Sequence, residues 1–360
     1  MNSAYSAAGV DTSQAGRGVE ALVEVLRSID PGRDSLAIPL PGHYASVIRV
    51  SAELGIALAT DSVGSKVIVA EGAGRFSTIG VDCVAMNVND LICVGATPLA
   101  MLDYLAVERA DEAQLRELAV GLRTGAELAG VEIPGGEVCQ LPEVIRGHPS
   151  PLGFDLVGSA FGVLALEKIV DGALVAPGDV VIGLPSSGIH SNGLTLARRA
   201  LLEGGDLALD DRPGELGGDS VADVLLEPTA IYVRAIRQLL ESTVQVHGLA
   251  HITGDGVLNL LRLGDGIGYE ISDPLPVHPV FDLIARHGEV EAAEMWEVFN
   301  MGCGFCVIVA PQEVDAALEL LESHHPGAAV IGAVNDEAGR VRITPLRLAG
   351  GRGGLELEQG

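Results

Sequence analysis

Lysine is almost absent from this 360-residue chain: Lys66 and Lys168 are the only two among 22 basic residues, and the others are arginine. Aromatic side chains are scarce too, at 3% of residues, whereas 48% are hydrophobic, so a core must be built from Val, Leu, Ile and Ala. The five cysteines (Cys83, Cys93, Cys139, Cys303 and Cys306) are an odd number without framework spacing, which excludes a disulfide scaffold and reads as reduced thiols. Cys303-Gly304-Phe305-Cys306 is a lone CxxC; with no second pair nearby it reads as strand cysteines in preference to zinc. No basic segment with an apolar stretch behind it opens the chain, and no apolar run approaches membrane-spanning length. The expectation is a soluble, cytoplasmic protein without a membrane partner. Positive charge is short overall: 49 acidic against 22 basic residues give a formal charge of −27. Such a field repels phosphodiester backbones and excludes broad nucleic-acid binding. A phosphate-bearing ligand must therefore be held locally, by cations, helix ends or metal.

The length suffices for two domains, and helical and strand-like segments alternate through both halves, which gives an α/β (α+β) class. The spacing predicts an amphipathic helix over 18–28, strands at 47–50, 54–60 and 66–70, and a buried helix over 79–95. A strand over 99–107 and a helix over 111–130 follow, the latter started by an Asp cap and ended by glycine. A turn at 134–137 and a strand over 154–166 complete this half. The Gly- and Pro-containing segment 167–179 is the boundary, which divides the chain into residues 1–168 and 169–348. Beyond it, strands are expected at 180–184, 267–271 and 304–310, and helices at 192–202, 228–241, 255–263 and 312–324, with a polar acidic loop at 203–220. Residues 349–360 read as a flexible, glycine-rich tail.

Lys66 closes the segment Asp61-Ser62-Val63-Gly64-Ser65-Lys66, which lies between two apolar runs. A lysine kept in an arginine background suggests a site that wants a compact ammonium. The composition suits a strand ending in a polyphosphate or metal site, and equally a surface lysine after a hairpin turn. Four carboxylates, Asp61, Asp82, Asp90 and Glu137, together with Asn87, form an acidic set. On a helix Asp82 and Asp90 share a broad face and Asn87 neighbours Asp90. Hard oxygens beside an ammonium suit Mg²⁺ carrying a nucleotide polyphosphate; the plainer alternative has Asp82 capping the helix and Asp90 meeting an arginine. In Ser187-Gly188-Ile189-His190-Ser191-Asn192-Gly193 a strand stops and a helix begins, which makes an anion cradle with a histidine that binds or moves a proton. A capped turn with a solvent-facing histidine is the alternative. Thr253 and Gly254 lie in a third such turn, His251-Ile252-Thr253-Gly254-Asp255-Gly256, and Asn300 lies in a fourth, Phe299-Asn300-Met301-Gly302-Cys303-Gly304.

In order, these segments resemble the phosphoribosylformylglycinamidine cyclo-ligase family, in particular its acidic, archaeal-type members. The resemblance runs from Tyr5-Ser6-Ala7-Ala8-Gly9-Val10-Asp11 through Asp61–Lys66, Ile79–Leu91 and Gly135-Gly136-Glu137. It continues through Ser187–Gly193, Leu226–Tyr232, His251–Gly254 and Phe299–Gly302. It implies a homodimer whose N-terminal, ATP-binding domains join strands into a shared barrel, with a C-terminal α/β sandwich in each chain. The implied reaction is ATP-dependent closure of formylglycinamidine ribonucleotide to 5-aminoimidazole ribonucleotide, with ATP and Mg²⁺ as cofactors. Carried over residue by residue, it implies catalytic roles for Lys66, Asp90 and His190. Asp61, Gly64, Ser65, Lys66, Asp82, Asn87, Asp90 and Glu137 would bind Mg-ATP, with Asp61, Asp82, Asp90 and Glu137 on the metal. Ser187, Gly188, His190, Ser191, Asn192, Gly193, Thr253, Gly254 and Asn300 would bind the ribonucleotide substrate.

The chain departs from the family pattern in places. Ser62 replaces a glycine and Ser65 a threonine, and Val138 replaces a threonine after Gly-Gly-Glu, with the loop through Gln140 and Glu143 altered. Asp255 replaces a glycine in the third turn, and a long glycine-rich loop is missing around 30–48. These departures keep two alternatives in view: another ATP-using member of the superfamily, of small-molecule kinase or maturation-factor type, and a catalytically silent nucleotide-binding scaffold.

Overall fold

Alternating small and β-branched residues shape the N-terminal half. The computed structural model of the chain describes residues 12–264 and 266–358; the Tyr5–Asp11 motif lies outside them. Helix α1 (Thr12–Arg27) opens the description, with Val19, Leu22 and Leu26 exposed. Strands β1 (Ala37–Ile38), β2 (Ser46–Arg49), β3 (Leu54–Ser62), β4 (Thr97–Val107), β5 (Glu132–Gln140) and β6 (Phe154–Ala165) form one sheet in the order β1-β2-β3-β6-β4-β5. All neighbours are antiparallel except β4 and β5, which are parallel. Along β6 each second residue (Phe154, Leu156, Gly158, Ala160) is buried against the helices, and those between are half-buried.

Helices α2 (Lys66–Ala73), α3 (Ile79–Cys93) and α4 (Glu112–Ala129) cover that face. The Asp111 carboxylate accepts the Ala113 and Gln114 amides at the start of α4, and Gly130 ends it in the left-handed conformation, as the sequence predicts. Helix α3 is buried along almost its whole length. It lies close to α4 through two glycines: a Cβ on Gly80 would fall 2.1 Å from the Leu122 nitrogen, and one on Gly121 would meet the Ser77 carbonyl.

The C-terminal half is built on an eight-stranded mixed sheet. Its strands are β7 (Val180–Pro185), β8 (Val246–His251), β9 (Gly268–Ile271), β10 (Cys303–Val309), β11 (Ala329–Asn335), β12 (Val341–Ile343), β13 (Leu348–Gly351) and β14 (Gly354–Leu357). They run in the order β14-β13-β12-β9-β11-β7-β10-β8. Helices α5 (Leu194–Arg198), α6 (Val221–Leu226), α7 (Val233–Glu241), α8 (Pro279–His287), α9 (Ala292–Val298) and α10 (Val314–His324) complete this half. The whole is a mixed α/β fold, as expected.

Several local expectations are corrected. Residues 66–70 are not a strand but the start of α2: Gly64 at φ 69° breaks the chain after β3, and Lys66, Val69 and Ala70 then bury one helical face. A four-residue apolar run cannot by itself distinguish the two. Residues 134–137 are not a turn; Gly135, Gly136 and Glu137 pair with β4. The helix expected over 228–241 begins only at Val233, and Glu227–Ala230 runs as a non-helical strap between the halves. The tail expected to be flexible pairs as β13 and β14, and the Leu355 amide donates to the Glu297 carboxylate of α9. Helices α6, α8 and α9 and strands β8, β11 and β12 were not foreseen.

The α3–α4 contact leaves no room for a side chain at position 80. Gly80→Ala is expected to lower stability by about 3 kcal/mol, because the backbone clash outweighs alanine's better helix propensity. Urea denaturation checks this, and an unchanged midpoint would contradict the close approach.

Candidate functional site

Strand β3 delivers Asp61 to the junction of the two halves, and the break at Gly64 turns the chain so that α2 begins on Lys66. That lysine is fully buried. Its Nζ lies 3.0 and 2.9 Å from the two carboxylate oxygens of Asp82 on α3, and donates to the Glu227 carbonyl at 2.6 Å. Asp82 also accepts the Thr229 amide at 2.8 Å and its hydroxyl at 2.6 Å. The expected ammonium facing a polyphosphate is therefore, in this structure, an ammonium enclosed by Asp82 and the strap. Asp82 likewise has its carboxylate committed away from the other acids.

Asp61 and Asp90 do share a site. Burial, and after it the negative charge of Asp90, push the Asp61 carboxyl up to about 6, against a partial opposing pull from the Ser62 amide at 2.7 Å. Asp90, one-fifth exposed, accepts from or shares a proton with His251 Nδ1 at 2.9 Å. Between them Asn87 donates its Nδ2 to the Asp61 carbonyl at 3.2 Å and the Cys83 carbonyl at 2.9 Å, while its buried Oδ1 has no partner. Gly158 of β6 makes room for that amide; a Cβ there would sit 2.5 Å from Asn87 Nδ2. Two neighbouring carboxylates, one held from its ordinary ionisation by burial and then by the charge of the other, with an unpartnered amide oxygen, fit a hard cation. Among the described residues no group of three or more His, Cys, Asp or Glu side chains is arranged for one. Glu137 is on the exposed edge strand β5, on the rung Ser62–Val157–Tyr104–Glu137, about 14 Å from Ser62. The four expected metal carboxylates thus do not converge within this chain.

The second-half motifs close on the same junction. Gly64 approaches the Ser191 carbonyl, and the Ser65 hydroxyl lies 2.8 Å from that of Thr195. Ser187 donates its hydroxyl to the Pro228 carbonyl at 2.6 Å, and Ser191 lies 3.4 Å from the Thr229 hydroxyl. His190, at φ 64°, is buried; Nε2 accepts the Ser187 amide at 3.2 Å and the Ala230 amide at 3.4 Å, and Nδ1 has no partner. Burial first, then the nearby His251, Lys66 and His278, hold it well below the ordinary imidazole range. It is a neutral ring protonated on Nδ1. Asn300, also buried, clasps the loop through the Gly188 and Ile189 carbonyls at 2.8 and 3.1 Å. Gly193 leaves room for the Phe299 ring, and Gly254 faces the Asn192 side chain. A cavity of 220 Å³ opens beside Ser187 and Gly188, against Asp219, Glu227 and His278.

Sequence reasoning missed Glu227, Thr229 and Asn89, and treated His251 only as part of a turn. Asn89 donates to the Ala230 carbonyl and accepts the Tyr232 amide. The available signal was Pro228, which argues against a helix continuing from before it. Two of the departures have structural answers. Ser62 follows Asp61 on β3, so strand alternation puts its side chain on the opposite face. Asp255 pairs with Arg262 at 3.2 Å, which offsets its charge beside the Thr253–Gly254 turn. Val138 is half exposed on β5.

Family models match both halves: "AIR synthase related protein, N-terminal domain" over residues 42–164 and "AIR synthase related protein, C-terminal domain" over residues 176–344. A phosphoribosylformylglycinamidine cyclo-ligase of Methanothermobacter thermautotrophicus is 46% identical over 341 residues, which cover 94% of this chain and 96% of that one. One from Thermococcus kodakarensis is 44% identical over 347 residues, covering 96% and 99%. Among solved structures, hydrogenase maturation protein HypE aligns with TM-score 0.60 at 19% identity, covering 90% of this chain and 95% of its own. AaThiL complexed with AMPPCP and TMP aligns with TM-score 0.60 at 16% identity, covering 91% and 92%. At those identities the likeness shows a shared fold alone.

Two outcomes follow from the geometry. Lys66→Met leaves the Asp82 charge buried without a counter-ion and is expected to cost about 3–5 kcal/mol, read by thermal or urea denaturation. An ionised Asp61 is unfavourable in the folded chain: its folded pKa of about 6 lies above the unfolded value of 3.8, so this group's contribution to stability falls as pH rises between those values and stays low above them. Asp61→Asn removes that cost. The melting temperature of the variant minus that of the wild type should rise between pH 5 and pH 8; a flat difference would contradict the assignment.

Proposed function

The chain belongs to the AIR synthase related family, and we propose that it is the ATP-dependent cyclo-ligase for which its relatives are named. It closes formylglycinamidine ribonucleotide to 5-aminoimidazole ribonucleotide in purine biosynthesis. The observation that carries this reading is the meeting at one junction of the Asp61–Asp90 pair with the Ser187–Gly193 and Thr253–Gly254 turns.

Asp61 and Asp90, with the Asn87 Oδ1 as a further oxygen, would hold Mg²⁺, and the ion when bound neutralises the triphosphate. His251 orients Asp90 from the side away from the ligand. Gly64 and Ser65, at the start of α2, turn backbone amides toward the phosphates. Ser191, Asn192, Gly193, Thr253 and Gly254 seat the ribose phosphate, and the Arg262 contact keeps the Asp255 charge from opposing it. His190 organises rather than abstracts: its lone pair is already taken by two amides, and its Nδ1–H is buried without a partner. Lys66 neutralises Asp82 and anchors the strap. The formyl oxygen is activated by phosphoryl transfer, and a substrate nitrogen then displaces that phosphate intramolecularly; holding both atoms at attack distance supplies much of the rate.

The cytoplasmic homodimer implied by the resemblance belongs to this reading. The sheet face away from the helices carries exposed Leu99, Leu102 and Tyr104, beside half-buried Leu58, Phe161 and Val163. An apolar sheet face of that kind is suited to a second copy, whose strands would close the barrel.

Release of ADP that depends on formylglycinamidine ribonucleotide tests the activity. Asp90→Asn is expected to lower kcat by about a hundredfold. Wild-type turnover in that variant, or ADP release only with another acceptor, would remove the assignment.

A further inference from the structure

The Cys303-Gly304-Phe305-Cys306 segment opens β10 and has no part in the chemistry above. In a regular strand, residues three apart project to opposite faces. Here the pairing slips: Cys303 lies opposite Pro185, Phe305 already opposite Leu184, and Cys306 opposite Gly183. Gly304 is the extra residue of a β-bulge, and the two thiols come together with their Sγ atoms 3.6 Å apart. The bulge also shortens the segment. Cys303 to Cys306 spans only two residues of β7, about 6.8 Å, the upper end of the Cα separations that a disulfide bridges. Cys303 is half-buried, whereas Cys306 is buried. The hydrogen bond to Cys303, and then burial, push the Cys306 thiol up, which leaves Cys303 as the attacking sulfur.

The bulge touches the site. A Cβ on Gly304 would fall 2.6 Å from His190 Cε1, and the Gly304 carbonyl accepts the Ile252 amide at 3.0 Å, next to Thr253. Cys303 donates its amide to the carbonyl of Asn300, the residue that clasps Gly188 and Ile189. Drawing Cys303 and Cys306 in from the upper end of that range toward the commoner disulfide separation of about 5.5–6 Å would move the backbone that positions the His190 loop.

We propose that Cys303 and Cys306 form a reversible dithiol–disulfide switch, oxidised by hydroperoxides, that displaces Gly304 and the Gly188–His190 loop. The Cys303 thiolate attacks a peroxide oxygen; the O–O bond breaks, hydroxide or alkoxide leaves, and a sulfenic acid forms. The Cys306 sulfur then attacks that sulfur. The S–S bond forms, the S–O bond breaks, and hydroxide departs with the Cys306 proton as water. Two thiols are oxidised for each peroxide reduced, and a dithiol reductant reverses the change.

Trp296, the only tryptophan in the chain, lines the same small cavity as both cysteines, so its emission reports their state. Treatment of the whole protein with hydrogen peroxide is expected to remove two of the five thiols, join residues 303 and 306 in a peptide map, and quench Trp296. Formylglycinamidine-ribonucleotide-dependent ADP release should fall by about fivefold or more, and dithiothreitol should restore every signal. Cys306→Ser and, independently, Cys303→Ser should keep basal activity and show neither cross-link nor quenching. Persistence of all five thiols, the same losses in either variant, or undiminished turnover of the cross-linked protein would overturn the proposal. Only the turnover readout rests on the cyclo-ligase reading; the thiol count, the peptide map and the fluorescence stand apart from it.

Discussion

The buried pairing of Lys66 with Asp82 is the constraint on which the junction depends. Neither charge is viable alone in a dry interior, since removal from water costs several kcal/mol per ion. Both are retained because each has further partners: the lysine donates to the Glu227 carbonyl, and Asp82 Oδ1 accepts the Thr229 amide and hydroxyl, while Oδ2 faces only the ammonium. The pair thereby fixes three things to one another, the start of α2, the first turn of α3 and the strap from the other half. Once the strap is fixed, Ala230 is in place to meet Asn89 and His190, and Pro228 to meet Ser187. The loop that resembles a substrate cradle is thus positioned by a charge pair that touches no solvent.

Glycine supplies the second condition, close approach. Gly158 leaves space for the Asn87 amide over β6, and Gly304 for the His190 ring against β10. Each removes one methyl group where a functional side chain must lie. Such packing places polar groups deep at the junction, and the result is visible in the ionisation of its members. The Asp61 carboxyl is held up and the His190 ring is held neutral, mainly by burial in both cases. A site that keeps a carboxylate near its limit of ionisation gives up stability above that pH.

Much of this was legible in the chain. The Asp111 cap and Gly130 stop bound α4, and the long apolar run of 79–95 identified a buried helix. The order of the polar turns indicated the family to which the chain belongs. The misreadings have physical causes. Val67-Ile68-Val69-Ala70 favours strand by local propensity, but burial of Lys66 against Asp82 rewards a helix. Gly135 and Gly136 read as a turn because glycine permits one, whereas the parallel partner β4 draws them into a ladder. The glycine-rich end of the chain looked mobile, yet Leu348 and Leu355 are buried and tie it to the sheet.

By itself the sequence determined the class of fold, the set of chemical groups and their order along the chain. These follow from periodicity, capping residues and local composition, which act over a few residues. Only the tertiary structure decided which groups meet. It gave Lys66 to Asp82, brought Asp61 to Asp90, left Glu137 on an outer strand and turned two cysteines to one face through a bulge. Those outcomes depend on strand register and on contacts between residues more than a hundred positions apart, such as Asp82 with Thr229 and Asp90 with His251. No local signal carries them, because the energy that selects each partner exists only once both are removed from water together.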